Sequence, residues 1–568
     1  MPLNRISTFF EKRTRVAMIT VGAAIALAAG GLASYWVVTQ RRPAIASLPV
    51  GSDLVPQDAL MTVSFSTDTE QWRELRQFGT PETQEQLDER LAEWRDRLLT
   101  DYGYRYDRDV QPWIGEEATL AVLTNLSEAP ETPDPIEQNA QTLVLILPID
   151  DVVQAQAVLS EAQDSAERSW TVRDYNGAQI RETEVDGRNL SVTVVDNRFL
   201  VISEDGAAIE RMIDTHRGGE SVADTPGYRQ AIADVAATDP FLRVYVNAPV
   251  AREVVTTNTI QPIPTQGFSP LKNNQGIAAT VTLEEDTIQI QGAGWLPQDS
   301  EQRYQVNNTA TNMPTLLPEE TLMMMSGANL QQFWQQFSQG PVADPKSLSN
   351  PAILRDAIQS TTGLDLDQDL LAWMDGEFSL ALIADPAPSS TVRTAGVVFM
   401  VKASDRTQAD AALKRLDDVM GDRYQFEVKE TNLKGESVVQ WVSPFASLTV
   451  TRGWMSSDVA FLAIGAPVAE TILPKPNTSL SQNSLFQSVT QSDRNTSSGY
   501  FFLNLEQLLG TSGSLPIPNL PENGEAYAKA IRAIGVKAAI QRETSTRFDI
   551  SVLMRKTENA RPLPSPEE

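Results

Sequence analysis

The sequence predicts an α+β protein of two homologous halves, each a mainly antiparallel sheet with packed helices, after an N-terminal transmembrane helix. Three observations favour this. The chain is uncharged from Val16 to Val38, residue patterns recur about 260 residues apart, and strand-like and helix-like periodicities mix within each half. No alternation of strands and helices is long enough for a doubly wound parallel sheet.

The segment 16–38 is predicted to span a membrane. Its 23 residues would form a helix about 34 Å long, enough to cross a hydrocarbon core of about 30 Å. Residues 1–15 form a basic segment with four cations and one anion, whereas the long chain after residue 42 is acidic. The positive-inside rule therefore favours a cytoplasmic N-terminus and an exported remainder, reached through a linker over 39–52.

A cleaved signal peptide is the alternative interpretation of this N-terminal segment. The tripeptide Ala44–Ala46 fits a small-residue cleavage pattern. The apolar run is, however, longer than the roughly 7–15 residues of a signal peptide, and Arg41 and Arg42 lie where uncharged residues are expected. An uncleaved anchor is the preferred prediction.

Six blocks of sequence recur in the same order, with offsets between 259 and 262 residues. The matched pairs are Leu54–Leu60 with Leu316–Leu322, Trp72 with Trp334, Tyr106–Trp113 with Leu366–Trp373, Phe199–Ser203 with Phe461–Gly465, Phe241–Asn247 with Tyr500–Glu506, and Gly276–Val281 with Gly535–Ile540. We therefore predict a first repeat over 53–297, a linker over 298–315, a second repeat over 316–556 and a disordered tail over 557–568.

Local patterns within the first repeat predict both kinds of element. Glu82–Thr100 has apolar residues on one helical stripe and is predicted to be the longest helix. Ser191–Val195 and Arg198–Ser203 flank a turn signal at Asp196, which predicts a hairpin. Gly206–Thr215 reads as a short amphipathic helix after that hairpin.

Composition excludes several classes of function. The 568 residues include 46 Lys and Arg, 74 Asp and Glu, a single His and no Cys, for a net charge of −28. Without Cys there are no disulfides, iron–sulfur clusters or thiolate zinc sites. The acidic balance argues against nucleic acid as a partner. Neither a phosphate-binding loop motif nor a Gly-x-Ser-x-Gly motif occurs, and the sequence predicts no cofactor and nominates no catalytic residue.

The alternating carboxylates Asp365, Asp367 and Asp369 are the sequence's candidates for a metal site, because such spacing begins many calcium loops. Position 6 of a calcium loop should be Gly but is Leu370, and position 12 should be Glu but is Gly376. A helix cap or turn is therefore the preferred interpretation, and no metal is predicted.

His216 and four tryptophans are the other side chains that the sequence singles out. His216 ends a predicted helix, where a cation is favourable, and no nucleophile motif accompanies it. The tryptophans at repeat-equivalent positions could stack on a ligand, but core positions are the preferred interpretation. They are Trp72, Trp113, Trp334 and Trp373.

The chain resembles an uncharacterised family, the domain of unknown function 3352, which is frequent in cyanobacteria. The resemblance rests on the anchor, the Leu-x-Pro-x-Asp/Glu-x-Leu motif of Leu54–Leu60, the Asp-rich turn before Trp113 or Trp373, and the Phe-Leu-x-Ile strand ends. It covers most of 43–556. It implies an anchored protein of the periplasm or thylakoid lumen and supplies no activity or catalytic residue.

These observations predict a single-pass membrane protein with an extracytoplasmic, non-enzymatic binding, scaffold or assembly role and a protein partner of unknown identity. Two alternatives remain open. One is a hydrolase that uses paired carboxylates between the halves. The other is a receptor for a lipid, glycan or pigment, with a cavity lined by tryptophans.

Overall fold

A computed structural model describes residues 47–100, 104–124, 141–164, 170–185, 188–257, 273–338, 350–384, 395–444, 448–465, 467–490, 496–510 and 524–557. These residues divide into two compact units. The first unit holds the described residues of Gln40–Ile263, Pro270–Gln302 and Arg555–Glu568, and the second holds those of Arg303–Met554. Within the described ranges no helix is both long and apolar enough to cross a membrane. The predicted span 16–38 lies outside them.

The described strands of the first unit form an antiparallel sheet in the order β10-β9-β8-β1-β2-β3-β7-β6-β5-β4. The strands are β1 (Met61–Ser66), β2 (Glu117–Thr124), β3 (Gln141–Pro148), β4 (Thr171–Tyr175), β5 (Ala178–Val185), β6 (Arg188–Val195), β7 (Phe199–Ser203), β8 (Leu242–Asn247), β9 (Gly276–Leu283) and β10 (Thr287–Trp295).

The described strands of the second unit follow the order β20-β19-β18-β11-β12-β13-β17-β16-β15-β14, again antiparallel throughout. They are β11 (Thr321–Gly327), β12 (Phe378–Ala384), β13 (Ala395–Lys402), β14 (Glu427–Leu433), β15 (Glu436–Val442), β16 (Thr449–Met455), β17 (Val459–Ile464), β18 (Gly499–Asn504), β19 (Ile531–Arg542) and β20 (Ser545–Met554). When strands are counted along the chain, this order matches that of the first unit position by position.

Helices connect these strands, so the predicted α+β class with mainly antiparallel sheets is confirmed. The first unit has α1 (Thr69–Leu75), α2 (Pro81–Leu98), α3 (Val152–Asp164), α4 (Gly206–His216), α5 (Tyr228–Asp234) and α6 (Ala248–Thr257). The second unit has α7 (Leu330–Ser338), α8 (Pro351–Thr362), α9 (Arg406–Asp422), α10 (Ala469–Ile472), α11 (Ser484–Thr490), α12 (Leu505–Gly510) and α13 (Gly524–Ala530).

Local sequence explains where several of these elements begin and end. The helix predicted over Glu82–Thr100 is α2, which begins at Pro81 after Thr80 and Thr83 form a reciprocal capping box. The helix predicted from Gly206 is α4, capped by the Asp205 side chain. The predicted hairpin joins β6 to β7 through Asp196 and Asn197, both with positive φ (52° and 55°), as such tight turns require.

Each sheet carries a core on both faces. In the first unit one core contains Ile146, Ile209 and Tyr228 from β3, α4 and α5. The opposite face packs Trp113 and Leu200 with residues of α3. The second unit repeats this arrangement, with one core around Met324 and Phe502 and the other around Trp373 and α9. Burial on both faces explains why many strands are apolar at consecutive positions.

The chain segments that flank the second unit's sheet are held by specific contacts. Within the predicted linker over 298–315, the Asn308 side-chain amide exchanges hydrogen bonds with the backbone of Ile540 at 2.9 Å. Thr557, the first residue of the predicted tail, belongs to the first unit and donates its backbone N–H to the Gln77 carbonyl of that same unit. The rest of the predicted tail, 558–568, lies outside the described residues.

Candidate functional site

The acidic turn before Trp373 is the site that the sequence nominates most directly, and the structure sends its three carboxylates to different partners. Asp365 caps the turn and accepts a hydrogen bond from the Gln368 N–H at 2.8 Å. Asp367 accepts from the indole N–H of Trp334 at 2.8 Å and from Arg355 at 2.5 Å.

The third carboxylate closes the same turn from its other end. Asp369 accepts a hydrogen bond from the Asp365 backbone N–H at 2.8 Å and forms an ion pair with Arg415 of α9 at 2.7 Å. The Trp373 indole donates to the Asp369 carbonyl at 3.2 Å. Asp367 and Asp369 therefore brace the turn against α7, α8 and α9, whereas Asp365 bonds only within the turn, so the three side chains serve different partners.

Electrostatics agrees with this geometry. The hydrogen bond from Arg355 holds the pKa of Asp367 below its ordinary value, and that from Arg415 does the same for Asp369. Both carboxylates are therefore ionised at neutral pH. Over the described part of the chain, no group of three or more His, Asp and Glu side chains is placed to hold a metal ion.

The corresponding turn of the first unit, Tyr106–Val110, has the same construction. The Arg105 backbone N–H donates to Asp109 at 2.7 Å, and the Trp113 indole N–H donates to the Asp109 carbonyl at 2.5 Å. Arg108 supplies the cation that lowers the pKa of Asp109. In both units a buried tryptophan thus fastens an aspartate-braced turn, the turn interpretation preferred from the sequence.

His216 lies at the C-terminal end of α4, as predicted, and contacts one carboxylate. Its Nε2 is 2.7 Å from Asp196 Oδ2 in the β6–β7 turn. This contact lowers the pKa of Asp196, which is more than half exposed. The pair ties the helix end to the hairpin turn.

Three of the four singled-out tryptophans are buried, as their core interpretation predicts, and the fourth is partly buried. Trp113, Trp334 and Trp373 are each less than a tenth exposed. Trp72 donates its indole N–H to the Ser66 carbonyl and packs edge-on against Phe65.

Sequence reasoning missed a buried ion pair that holds the lead-in segment of the first unit, defined here as residues 47–52 before β1. Glu117 lies 2.8 Å from Arg243 and accepts the Val50 N–H at 2.9 Å. Arg243 also donates to the Ser47 carbonyl at 2.7 Å. Burial raises the pKa of Glu117, and Arg243 opposes that shift.

Glu377 performs the matching task in the second unit, whose lead-in segment is residues 308–313. One oxygen of Glu377, which is 5% exposed, accepts the backbone N–H groups of Asn312 and Met313 at 2.8 and 3.0 Å. The available signal was the acidic residue that precedes an apolar stretch in both halves, at Glu117–Leu123 and Glu377–Ile383.

The protein therefore consists of two antiparallel α+β units. The carboxylates described above hold turns and lead-in segments in place. The chain belongs to the family of proteins of unknown function DUF3352, whose family model matches residues 20–554. The resemblance found in the sequence is thereby confirmed. No curated protein matches the chain.

Two solved structures with limited similarity are crystal forms I and III of TP0453. Form I is 7% identical, with a TM-score of 0.25, and the match covers 45% of this chain and 82% of that one. Form III is 8% identical, with a TM-score of 0.22, and the match covers 45% and 83%. Similarity at this level says nothing about function.

Proposed function

We propose that this protein is a non-enzymatic binding or scaffold protein that acts outside the cytoplasm. The observation that carries the proposal is that the side chains singled out by the sequence make structural contacts. Asp365, Asp367 and Asp369 brace one turn, and His216 fastens a helix end to Asp196. These side chains are engaged in contacts that hold helices and turns together. Acid–base catalysis instead needs side chains that are free to exchange protons with a substrate.

The lowered pKa values support the same conclusion. A general acid at neutral pH needs a carboxyl group whose pKa is raised towards 7. Arg355 and Arg415 act in the opposite direction on Asp367 and Asp369. Burial raises the pKa of Glu117 and of Glu284; both oxygens of Glu117 face protein groups, Arg243 and the Val50 N–H, and Glu284 lies in the turn between β9 and β10.

A duplicated architecture is part of this proposal, because two similar units offer two similar binding platforms. The shared strand order supports it, as do the matching turns that Asp109 and Asp369 brace.

Under this proposal, the pairing of the strands shifts the alignment of three of the six sequence blocks by two residues. Asn247 and Asn504 each end a strand, and each side chain accepts a hydrogen bond from the N–H three residues later. This equivalence aligns Phe241–Asn247 with residues 498–504, two residues before the block predicted from sequence. The strand partners of these asparagines align Gly276 with Ala533. The Arg198 carbonyl accepts the N–H of the residue just after β3, and the Asp458 carbonyl accepts the N–H of the residue just after β13. These equivalent bonds align Phe199 with Val459.

The proposed location follows from the N-terminal sequence. The apolar segment 16–38 would anchor the chain in a membrane, with residues 1–15 in the cytoplasm and both units in a periplasm or thylakoid lumen. Tethering both units at a membrane surface would raise the local concentration of a partner held in the same membrane.

Cross-linking in native membranes, followed by affinity capture of the tagged full-length chain and mass spectrometry, tests the proposal. One protein recovered in near-stoichiometric amount and cross-linked to residues after 47 is the expected result. A matched chain with Asp367→Asn and Asp369→Asn should keep that partner if the turn still folds. A turnover measured on any substrate and abolished by replacing a single carboxylate, with the fold intact, would contradict the non-enzymatic role.

A further inference from the structure

A row of polar side chains crosses the centre of the first unit's sheet, and each hydroxyl in it has a partner. Ser64 on β1 lies directly opposite Thr119 on β2 and Arg243 on β8. The Ser64 and Thr119 hydroxyls are 2.7 Å apart, and the Thr119 hydroxyl is 2.6 Å from the carbonyl of Val50 in the lead-in segment. Arg243 completes the row through its ion pair with Glu117.

The second unit has the same row with different chemistry. Ser326 on β11 lies opposite Ser379 on β12 and Tyr500 on β18. Ser326 and Ser379 are 6% and 0% exposed. Neither hydroxyl has a hydrogen-bond partner among the described residues. A buried hydroxyl without a partner is unfavourable, because it loses the hydrogen bonds it makes with water in the unfolded chain.

Three features differ between the two rows. Ser379 takes the strand position of Thr119 and lacks its methyl group. The lead-in segment of the second unit bonds to Glu377 through the N–H groups of Asn312 and Met313. The lead-in segment of the first unit also accepts a hydrogen bond from the Thr119 hydroxyl through a backbone carbonyl. Tyr500 occupies the strand position at which the first unit has a guanidinium.

We propose that Ser326 and Ser379 bind an internal water molecule that bridges their hydroxyls. Directly opposed residues in an antiparallel pair have Cβ atoms about 4.5–5.5 Å apart, so two short hydroxyls can both reach one water between them. Each hydroxyl both donates and accepts, and the polar side chain of Glu377 lies on the same face two residues before Ser379. Internal waters occupy such polar, enclosed places.

A neutral ligand fits this row better than a metal cation. The row offers two neutral hydroxyl oxygens, whereas Mg²⁺ and Ca²⁺ take six or more oxygen ligands that usually include carboxylates. One oxygen of Glu377 is already engaged by two backbone N–H groups.

A crystal structure of the full chain in detergent tests the site directly. A density peak within about 2.6–3.2 Å of both hydroxyl oxygens is expected, and continuous protein density without that peak would overturn the proposal.

Native-state hydrogen exchange of the full chain gives a second, independent test. Ser379→Ala should raise the opening constant of the β11 and β12 amides about five-fold, the effect of losing one hydrogen bond. Ser437→Ala, at an exposed position of β15, is the matched control and should leave it unchanged. An unchanged or lowered opening constant in Ser379→Ala would mean that the hydroxyl has no partner and would overturn the water site.

Salt exchange separates water from a cation. Replacing sodium and potassium chloride by choline chloride at equal ionic strength should not alter the protection of β11 and β12. A loss of protection in choline that disappears in Glu377→Gln would overturn the proposal in favour of a bound cation.

Discussion

Removal of the Glu117 carboxylate is the sharpest test of how the first unit holds its lead-in segment. Glu117→Ala deletes the ion pair with Arg243 and the acceptor for the Val50 N–H in one change. The side chains of Glu117 and Arg243 are only 12% and 18% exposed, so solvent cannot fully replace what is lost. We expect local destabilisation concentrated in residues 47–52 and the β1–β2 and β1–β8 ladders.

The magnitude follows from burial. Breaking a buried ion pair on one side costs about 3–5 kcal/mol, because the remaining charge stays desolvated. Arg243 keeps its bond to the Ser47 carbonyl and some contact with water, which favours the lower end of that range. Loss of the acceptor for the Val50 N–H adds about 1 kcal/mol. The expected total of about 3–4 kcal/mol corresponds to a rise of more than about 100-fold in the local opening constant.

Native-state hydrogen exchange on the full chain measures this quantity segment by segment. Glu70→Ala is the matched control, since Glu70 pairs with Arg73 in the same unit but both side chains are more than 60% exposed. That control should cost at most about 1 kcal/mol. If Glu117→Ala and Glu70→Ala gave the same exchange in 47–52, the buried pair would not hold the lead-in segment and the reasoning would be refuted.

Three further predictions concern other contacts. Asp417→Asn should destabilise the second unit by about 3 kcal/mol or more, measured by exchange in β15 and β16, because it leaves the Arg452 guanidinium buried at 11% exposure without its anion. Asp196→Asn should lower the melting temperature slightly at pH 5, because an ion pair with an exposed carboxylate contributes less than about 1 kcal/mol to the free energy of unfolding. Because the single His lowers the pKa of Asp196, this stabilisation is present above the ordinary value of 3.8 and is lost as pH falls through the lowered value; an equal difference at pH 2 would contradict it. Gly276→Ala should cost about 1–3 kcal/mol in thermal unfolding, because a Cβ there would lie 2.5 Å from the Trp295 ring, and an unchanged melting temperature would show that the ring can move aside.

Local patterns predicted the elements that local physics controls. The helix α2 could be predicted because its cap at Thr80, its Pro81 start and its apolar stripe all lie within one stretch of chain. The β6–β7 hairpin could be predicted because Asp and Asn tolerate the positive φ of its turn better than most residues.

The proposed correspondence between the two halves differs by two residues, in three blocks, between the sequence pattern and the strand ladders. A shift of two keeps every side chain on the same face of its strand, so the apolar pattern fits both alignments equally well. Only the ladder partners, such as Met61 with Val246 and Met323 with Leu503, distinguish them. In one of the three blocks the shared Phe-Leu-x-Ile motif of Phe199–Ser203 and Phe461–Gly465 supported the alignment that the ladders shift.

The sequence by itself determined the α+β class, the apolar segment 16–38, the acidic charge and the residues that merit attention, because each depends on composition or on neighbours a few positions apart. Tertiary structure alone decided what those residues contact. Asp369 meets Arg415 46 positions away, and Glu117 on β2 meets Arg243 on β8 across the intervening strand β1. Such pairings depend on which strands and helices become neighbours, and the cost of leaving a buried charge unpaired favours a fold that places Arg243 beside Glu117.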